Sequence, residues 1–465
     1  MALDIVIMAA GKGTRMKSSL PKVLHKLAGR SLLQHVLHTA GELGADRIIT
    51  ITGHGAEHVE AAVQAPHLQF VRQMPQLGTG HAVQQAVPAL HAEGTTLILN
   101  GDVPLITART ARALIEACGG KKLALLTIEL ADPTGYGRIV RQGGSDNGQV
   151  RAIVEHKDAS PEQRQIREIY TGMMAVPTAA LKRWLGQLKN DNVQGEYYLT
   201  DIVAMAVADG TPVVAAQPKS EAEVLGVNSP LQLADLERRH QKALAERFME
   251  DGVRLADPAR FDVRGELHCG TDVEIDINCI FEGQVRLGSG VRIGASCVIR
   301  NARIADNVVI HPFTHIDGGG DENQQGVTVG AGSLIGPFAR LRPGAELAEE
   351  VHIGNFVEVK NSTLARGAKA NHLAYLGDAT VGERVNYGAG SITANYDGAN
   401  KHRTVIGNDV HVGSNSVLIA PVTLGDGATI GGGSTINKNV AAGDLAVARG
   451  KQMAISGWVR PVKKR

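Results

Sequence analysis

A repeat of six residues dominates the last part of this chain. From residue 406 to residue 436 an aliphatic residue stands at every sixth position, and four of these are followed at once by glycine. Helices need apolar residues three or four apart and half-buried strands need alternation, so neither element alone explains the spacing. A spacing of six residues is typical of a β-solenoid. In that fold each hexad forms one short strand and a turn, and its aliphatic side chain points into a continuous interior stack. This run comprises Ile406, Val412, Leu418, Leu424, Ile430 and Ile436.

The same period recurs upstream and predicts a long solenoid. Single-residue slips, from Ile299 to Ile304 and from Val359 to Leu364, are interpreted as corner adjustments within one array. The array resembles the left-handed parallel β-helix of the hexapeptide-repeat acyltransferases, which implies a triangular cross-section and a trimer. The period alone leaves open a passive scaffold or an oligomerisation rod. The upstream hexads are Ile275, Phe281, Leu287, Ile293 and Ile299, then Val329, Ile335, Leu341, Leu347, Ile353 and Val359.

The composition fits a large protein of two or three domains. The 465 residues suffice for a sizeable core, and the formal charge of +1 gives no electrostatic reason to expect nucleic acid as a partner. Four cysteines without metal-like spacing favour a reduced, cytoplasmic protein. Residues 1–10 lack the basic region of a signal peptide, and no run approaches the length of a membrane span.

The chain opens with a strand, a glycine-rich loop and basic residues, an order that suits phosphate. Glycines let backbone N–H groups approach phosphate oxygens, and Arg15 and Lys22 supply positive charge. The pattern is neither the dinucleotide fingerprint nor the P-loop, and taken alone a glycine-rich turn after a strand is more often only a turn. The whole segment AAGKGTRMKSSLPKVL resembles the opening signature of the sugar-1-phosphate nucleotidyltransferases.

Helix-like and strand-like segments then alternate, which predicts a Rossmann-like α/β domain with a mainly parallel sheet and a ligand site at the carboxyl ends of its strands. One strand ends in Asn100, Gly101 and Asp102. A carboxylate there is placed either to hold a divalent ion over phosphates or to cap a turn. The segment GDVPL resembles the magnesium-binding strand end of the same family, which favours the ion.

The resemblance covers nearly the whole N-terminal half and is closest to uridyltransferase domains of bifunctional bacterial enzymes of UDP-N-acetylglucosamine synthesis. Its further matches are QLGTGHA, DPTGYGRI, IVEHKDA, GEYYLTD and GVN. It implies Mg²⁺ held by Asp102 and Asn228, with Lys22 and Arg15 facing the triphosphate as catalytic residues. Tyr170 stands where the family has an asparagine that contacts the sugar. The implied binding set for UTP and UDP-N-acetylglucosamine is Ala9, Ala10, Gly11, Lys22, Gln73, Gly78, Thr79, Asn100, Gly101, Asp102, Gly137, Glu155, Tyr170 and Asn228.

Three parts are predicted: a uridyltransferase domain at 1–230, a linker helix at 231–251 and a β-helix domain with a basic tail at 252–465. The linker is either a rigid spacer or a simple covalent joint, and the tail is either solvated or a flap over a coenzyme. The insertion at 317–326 is polar and glycine-rich and is interpreted as a mobile loop without an assigned role. The apolar face predicted for the helix is Leu233, Leu236, Ala243, Leu244 and Phe248.

Reactive polar groups cluster at 340–415, where the hexads weaken. Repeat breaks are places where sites are built, yet a lone histidine is more often structural. The segments RLRPGA, GNFVEVK, NHLAYLGDA and GAGSITANYDGANKHRT resemble the acetyltransferase half of the same enzymes. The resemblance implies His372 as the general base. It implies Arg342, Lys360, Tyr375 and Asn386 for glucosamine-1-phosphate, and Ala389, Asn395, Tyr396, Ser414, Gly432 and Arg449 for acetyl-CoA.

The predicted enzyme therefore acetylates glucosamine-1-phosphate with acetyl-CoA and then transfers UMP from UTP to the product, releasing pyrophosphate. Two other functions stay open on the sequence. One is a nucleotidyltransferase whose solenoid only oligomerises, and the other is a solenoid interaction protein with an inactive nucleotide domain. The predicted partners are small-molecule substrates and further copies of the chain in a homotrimer.

Overall fold

The computed structural model describes residues 2–144, 148–320, 326–461 and 463. They form two compact units, residues 1–240 and 241–465. A helix from Pro230 to Glu250 runs across this division, so the domain limits at 230, 251 and 252 remain predictions. In the described part of the chain, none of the helices has the length and apolar character that a membrane span requires.

In its described residues, the first unit contains one nine-stranded sheet and a separate two-stranded sheet, which is formed by its second and third strands in chain order. Its strands are β1 Leu3–Met8, β2 Lys26–Leu27, β3 Arg30–Ser31, β4 Arg47–Thr52, β5 Leu68–Arg72, β6 Thr95–Asn100, β7 Leu123–Glu129, β8 Gly137–Arg141, β9 Val150–Val154, β10 Glu168–Pro177 and β11 Val213–Ala216. Its helices are α1 Leu32–Gly41, α2 Ala56–Ala62, α3 Thr79–Ala86, α4 Ala108–Cys118, α5 Pro161–Arg164, α6 Thr178–Leu185 and α7 Asp201–Ala208, followed by α8 Pro230–Glu250. Short 3-10 turns lie at Thr14–Met16, Lys22–Leu24, Val87–Ala89, Gln142–Gly144 and Glu221–Val224.

The sheet order is β11-β7-β10-β6-β1-β4-β5, with β8 and β9 attached beside β10. All pairs on this path are parallel except those of β10, which runs antiparallel to β6 and β7. Fully buried runs such as Ile5 to Ile7 and Leu97 to Leu99 are typical of parallel strands covered on both faces. The mainly parallel α/β fold predicted for this half is confirmed.

The second unit is a parallel β-helix. Its strands are β12 Arg254–Leu255, β13 Phe261–Cys269, β14 Glu274–Ile275, β15 Cys279–Leu287, β16 Arg292–Ile293, β17 Val298–Ile304, β18 Val309–Ile310, β19 His315–Asp317, β20 Val327–Val329, β21 Leu334–Ile335, β22 Arg340–Leu341, β23 Ala345–Leu347, β24 His352–Asn355, β25 Glu358–Lys360, β26 Ser362–Leu364, β27 Lys369–His372, β28 Tyr375–Gly377, β29 Ala379–Val381, β30 Asn386–Tyr387, β31 Ile392–Ala394, β32 Thr404–Ile406, β33 His411–Val412, β34 Val417–Ile419, β35 Val422–Leu424, β36 Thr429–Ile430, β37 Thr435–Ile436 and β38 Leu445–Ala446. A 3-10 turn lies at Pro258–Arg260.

These strands stack in three parallel rows, which give the coil three faces. The first face runs from β12 and β14 up to β36 and β38, the second from β19 and β22 up to β34 and β37, and the third from β20 and β23 up to β32 and β35. Strand β17 pairs with β19 at its start and with β20 at its end, so it turns one corner without a break. The slip from Ile299 to Ile304 lies at this corner.

The interior of the coil is the predicted aliphatic stack. Every hexad residue named above is at most 5% exposed. A second residue, usually small, is buried two positions earlier, as Ser333 is before Ile335 and Ala339 before Leu341, because alternate side chains of a strand share a face. Ala370, where the hexads weaken, is buried beside the larger Tyr387 of the next coil.

The helix α8 buries most of the face predicted for it, with Leu233 and Leu244 partly buried against the cores. Leu236 and Phe248 are buried as expected, but Ala243 is exposed, whereas Gln241 and Ala245 are buried. Residues 241, 245 and 248 follow the spacing of three to four that defines one helix face, and position 243 lies about 200° from position 241. Only Ala243 was wrongly placed on the buried face, which contains Gln241 instead. Gln241 exchanges two 2.8 Å hydrogen bonds with the backbone of Val263.

The repeat ends later than its hexads indicate, because β38 adds a further strand beside β36. Beyond it the tail has no strand among its described residues, and Met453, Ile455 and Trp458 are exposed. Half of the insertion predicted at 317–326, residues 321–325, lies outside the described residues.

Candidate active sites

The glycine-rich loop after β1 closes around Lys22. Gly13 has the left-handed φ of 60°, and a Cβ built on it would lie 2.6 Å from Cβ of Lys22. A larger residue at position 13 would therefore strain the backbone and push Lys22 away. The loop then turns into the 3-10 turn Thr14–Met16, whose Met16 is buried and anchors it.

Lys22 joins the two predicted metal ligands. Its ammonium forms an ion pair with Asp102, at the carboxyl end of β6, and donates a 3.1 Å hydrogen bond to Oδ1 of Asn228, just before α8. Two hard oxygens thus converge on one cationic group. No cluster of three or more His, Cys, Asp or Glu that could hold a metal occurs among the described residues. One carboxylate and one amide oxygen fit Mg²⁺, which takes its remaining oxygens from water and phosphates.

Two cavities open at the carboxyl ends of the strands, and Asp102, Asn100 and Thr79 line both. The larger has a volume of about 820 Å³ and the smaller about 320 Å³, and between them they divide most of the predicted binding set. Arg15, predicted to face the triphosphate, lies in the smaller. The larger is lined by Ala9, Ala10, Gly11, Lys22, Gln73 and Gly78, and the smaller by Arg15, Gly137, Glu155, Tyr170 and Asn228.

One predicted residue lies behind this site. Gly101 lines neither cavity, and its N–H donates to the carbonyl of Met8 at 2.9 Å. A Cβ on it would lie 3.2 Å from Cβ of Ala9. Glycine at this position therefore allows the end of β6 to lie close to the loop after β1.

The wall of the smaller cavity contains a buried acid and a buried phenol. Burial raises the pKa of Glu155, partly offset by a 3.0 Å hydrogen bond from the hydroxyl of Thr200. Burial and the charge of Glu155 raise the pKa of Tyr170, whose hydroxyl has no hydrogen-bond partner in the described residues. A Cβ at Gly137 would lie 2.8 Å from Ile153, so glycine keeps this wall open beside Glu155.

On the β-helix, His372 lies at the corner between the first and second faces. Its Nδ1 lies 2.9 Å from Oδ1 of Asn355 one coil earlier, and an amide oxygen only accepts, so Nδ1 carries the proton. Nε2 is then left as an acceptor on an exposed ring. The corner continues through backbone hydrogen bonds from Gly390 to His372, Asn415 to Ala389 and Gly433 to Ser414. We call His372, Ala389, Ser414 and Gly432 the corner column.

The predicted phosphate-binding cations lie at the other end of the second face. Arg342 donates to Glu358 at 2.8 Å, and Nζ of Lys360 lies 4.0 Å from Asp378. A contact with the side chain of Lys401, reinforced by burial, lowers the pKa of Lys360. Tyr375 lies between the two corners, in register with Glu358.

Three other predicted residues lie away from this face. Asn386 belongs to the first face, where its amide lies 3.1 Å from Nδ1 of His411. Asn395 is buried against Asp378, and Tyr396 is 61% exposed on the loop after β31, at a different corner from Ala389. Arg449 reaches the corner column through a 2.8 Å hydrogen bond to the carbonyl of Gly432.

Sequence reasoning missed several residues that border these sites. Gln76 donates to the carbonyl of Ala10 at 2.8 Å, Thr200 holds Glu155, and Lys401 contacts Lys360. All three fall inside or beside motifs already recognised. What was absent from the sequence was any sign of which motif positions point inward.

Comparisons with known proteins agree across the whole chain. A model of the MobA-like NTP transferase domain matches residues 5–252, and bacterial transferase hexapeptide repeats match residues 403–438. Bifunctional protein GlmU of Methylibium petroleiphilum is 76% identical, with 100% of both chains covered. GlmU of Albidiferax ferrireducens is 67% identical over 99% of this chain and 100% of its own, and that of an Azoarcus species 57% identical over 100% of both. The chain belongs to the GlmU family of bifunctional proteins, with a nucleotidyltransferase unit followed by an acyltransferase unit.

Proposed function

We propose that the two activities of this uridyltransferase and acetyltransferase act in sequence, the second unit first. Acetyl-CoA acetylates the amine of glucosamine-1-phosphate, and the product then receives UMP from UTP. The observation that carries the proposal is the corner column. A histidine with its tautomer set by Asn355 lies directly below Ala389, Ser414 and Gly432, an arrangement that a passive scaffold does not need.

In acetyl transfer, the second face supports the sugar phosphate. Arg342 and Lys360 would hold its phosphate at one corner, and Tyr375 would lie under the sugar. The amine would then face His372 at the other corner. As the amine nitrogen attacks the thioester carbonyl, Nε2 of His372 accepts the amine proton, and the departing thiolate takes a proton in turn. Ala389, Ser414, Gly432 and Arg449 would hold the coenzyme along the corner column. Asn395 and Tyr396, which lie at a different corner, would contact it from a further copy of the chain.

In uridyl transfer, the two cavities bring the reactants together. UTP would occupy the larger cavity and N-acetylglucosamine-1-phosphate the smaller, so that the sugar phosphate oxygen attacks the α-phosphorus beside Asp102 and pyrophosphate leaves. Lys22 neutralises charge on the phosphates, and no protein nucleophile is needed. Asp102 and Asn228 would hold Mg²⁺, which when bound offsets the charge that develops on the leaving group.

A homotrimer is supported by a strained apolar ladder beside His372. Phe313, Phe338, Phe356 and Leu373 are 47% to 61% exposed, and each has a positive φ. Bulky residues rarely accept that backbone, at a cost of about 1–2 kcal/mol each, yet successive rings stack at 4.9 and 5.4 Å. Further copies of the chain would cover the ladder and bring Asn386 of one face toward the sugar on another. We expect light scattering to give three times the chain mass, and a monomer would contradict this.

The order of steps is tested by omitting acetyl-CoA. With glucosamine-1-phosphate and UTP alone, we expect pyrophosphate release at least about tenfold slower than with the acetylated sugar, because the smaller cavity, with Glu155, is proposed to hold the acetamido group. Equal rates with both sugars would overturn the order.

The free cysteines, three of them fully buried, suit a reducing compartment, and we place the enzyme in the cytoplasm.

A further inference from the structure

A hydrogen-bonded pair in the larger cavity fixes which atom of one side chain faces the nucleotide. Gln73 follows β5, lines this cavity and is only 3% exposed. Its Nε2 donates to the carbonyl oxygen of Gly78 at 2.9 Å. Because a carbonyl only accepts, the group facing Gly78 must be the amide nitrogen.

The second hydrogen of this nitrogen points to His81 on α3, whose Nδ1 lies 3.2 Å away. The other ring nitrogen lies 3.2 Å from Nε2 of Gln85, which also donates to the carbonyl of His81 at 3.1 Å. A neutral imidazole has one accepting nitrogen. Gln85 has that carbonyl as an acceptor and does not depend on the ring, so the proton can lie on Nε2. Nε2 then makes no hydrogen bond to Gln85, and Nδ1 is left free to accept from Gln73.

With both hydrogens of its amide engaged, Gln73 is left with one group for a ligand. Its Oε1 accepts no hydrogen bond from the part of the chain that the structure describes. Oε1 of Gln73 is therefore available to accept a hydrogen bond from a ligand in this cavity. Uracil presents an N–H at ring position 3, whereas cytosine presents a bare nitrogen there, which an amide oxygen repels.

We propose that His81 is a positioning residue that holds the Gln73 amide in one orientation and so makes the enzyme select uracil over cytosine nucleotides. The inference rests on the proposed function in placing UTP in this cavity. Without the acceptor at Nδ1, the amide nitrogen loses a partner, and rotating it toward cytosine then costs less. Removal of one hydrogen bond changes such a preference by about tenfold.

The test compares UTP with CTP in pyrophosphate release with N-acetylglucosamine-1-phosphate. His81→Phe keeps a ring beside Tyr197, whose centroid lies 6.3 Å away, but removes the acceptor. We expect its preference for UTP, as the ratio of kcat/KM values, to fall at least about tenfold through the nucleotide KM, with the sugar KM unchanged. His81→Asn, whose amide oxygen takes the place of Nδ1, restores the preference. His58→Phe, an exposed site on α2, is the matched control.

Each outcome is decisive. A wild-type enzyme that releases no pyrophosphate from UTP would refute the proposed function itself. A wild type that prefers UTP, together with a His81→Phe variant of equal preference, would overturn only the role of His81. If thermal unfolding shows that His81→Phe is not folded, His81→Ala carries the same expectation, and failure of His81→Asn to rescue a folded variant also counts against the inference.

Discussion

We expect His372→Ala to lower acetyl transfer from acetyl-CoA to glucosamine-1-phosphate by about 10²- to 10⁴-fold, the usual contribution of a general base. The amine must lose a proton as it attacks, and the proposed acceptor is Nε2 of this exposed ring. Alanine removes it without opening the core, because the side chain lies outside the coil. Release of the free thiol of CoA measures the rate.

The same preparation provides the internal control. Pyrophosphate release from UTP should be unchanged, since the nucleotide residues belong to the other compact unit. His268→Ala, at an exposed strand position many coils away, should leave both activities intact. If His372→Ala kept full acetyl transfer, the histidine would be structural and the base would have to be sought elsewhere.

Substitutions of Asn355 show how much of the acetyl transfer rate depends on the tautomer of His372 and not only on its position. Asn355→Ala removes the acceptor that holds the proton on Nδ1, and we expect kcat to fall about tenfold with little change in the sugar KM. Asn355→Asp keeps an oxygen there and should recover most of the loss. A rise in KM together with a fall in kcat would instead indicate collapse of the corner.

The β-helix was readable from the sequence because its geometry imposes a strict period. Each turn of the coil reuses the same interior position, so the hexads from Ile275 to Ile436 all lie in the core. The buried face of α8 was harder to predict from the sequence, because it includes Gln241. Its side-chain N–H and C=O both form hydrogen bonds with the backbone of Val263, which allows burial. A search for apolar residues at helical spacing cannot detect a buried polar residue of this kind.

The sites were predictable only as sets of motifs. The resemblance named the residues, and the strand ends explain why Gln73, Asn100 and Asp102 meet at the cavities. It gave no sign that Gly101 lies behind the cavity wall or that Lys401 lies beside Lys360. These depend on how loops from distant positions close in space, and no local spacing encodes that.

We expect Asp102→Asn to lower pyrophosphate release from UTP and N-acetylglucosamine-1-phosphate by about 10²- to 10³-fold, the typical cost of losing one preorganised charge-stabilising group. Asparagine keeps the shape of the side chain, so the strand end should be preserved. The substitution removes the negative charge that pairs with Lys22 and would hold Mg²⁺ together with Asn228. Acetyl transfer by the same variant should be unaffected.

A magnesium titration separates the two consequences of this change. If Asp102 holds the ion, the variant needs more Mg²⁺ for half-maximal rate, and high Mg²⁺ recovers part of the loss. If Asp102 acts only through Lys22, the midpoint stays fixed and Lys22→Ala in the wild-type background shows a comparable loss. A variant as fast as wild type at every Mg²⁺ concentration would remove Asp102 from the chemistry. It would leave its ion pair with Lys22 as a structural contact at the junction of the two cavities.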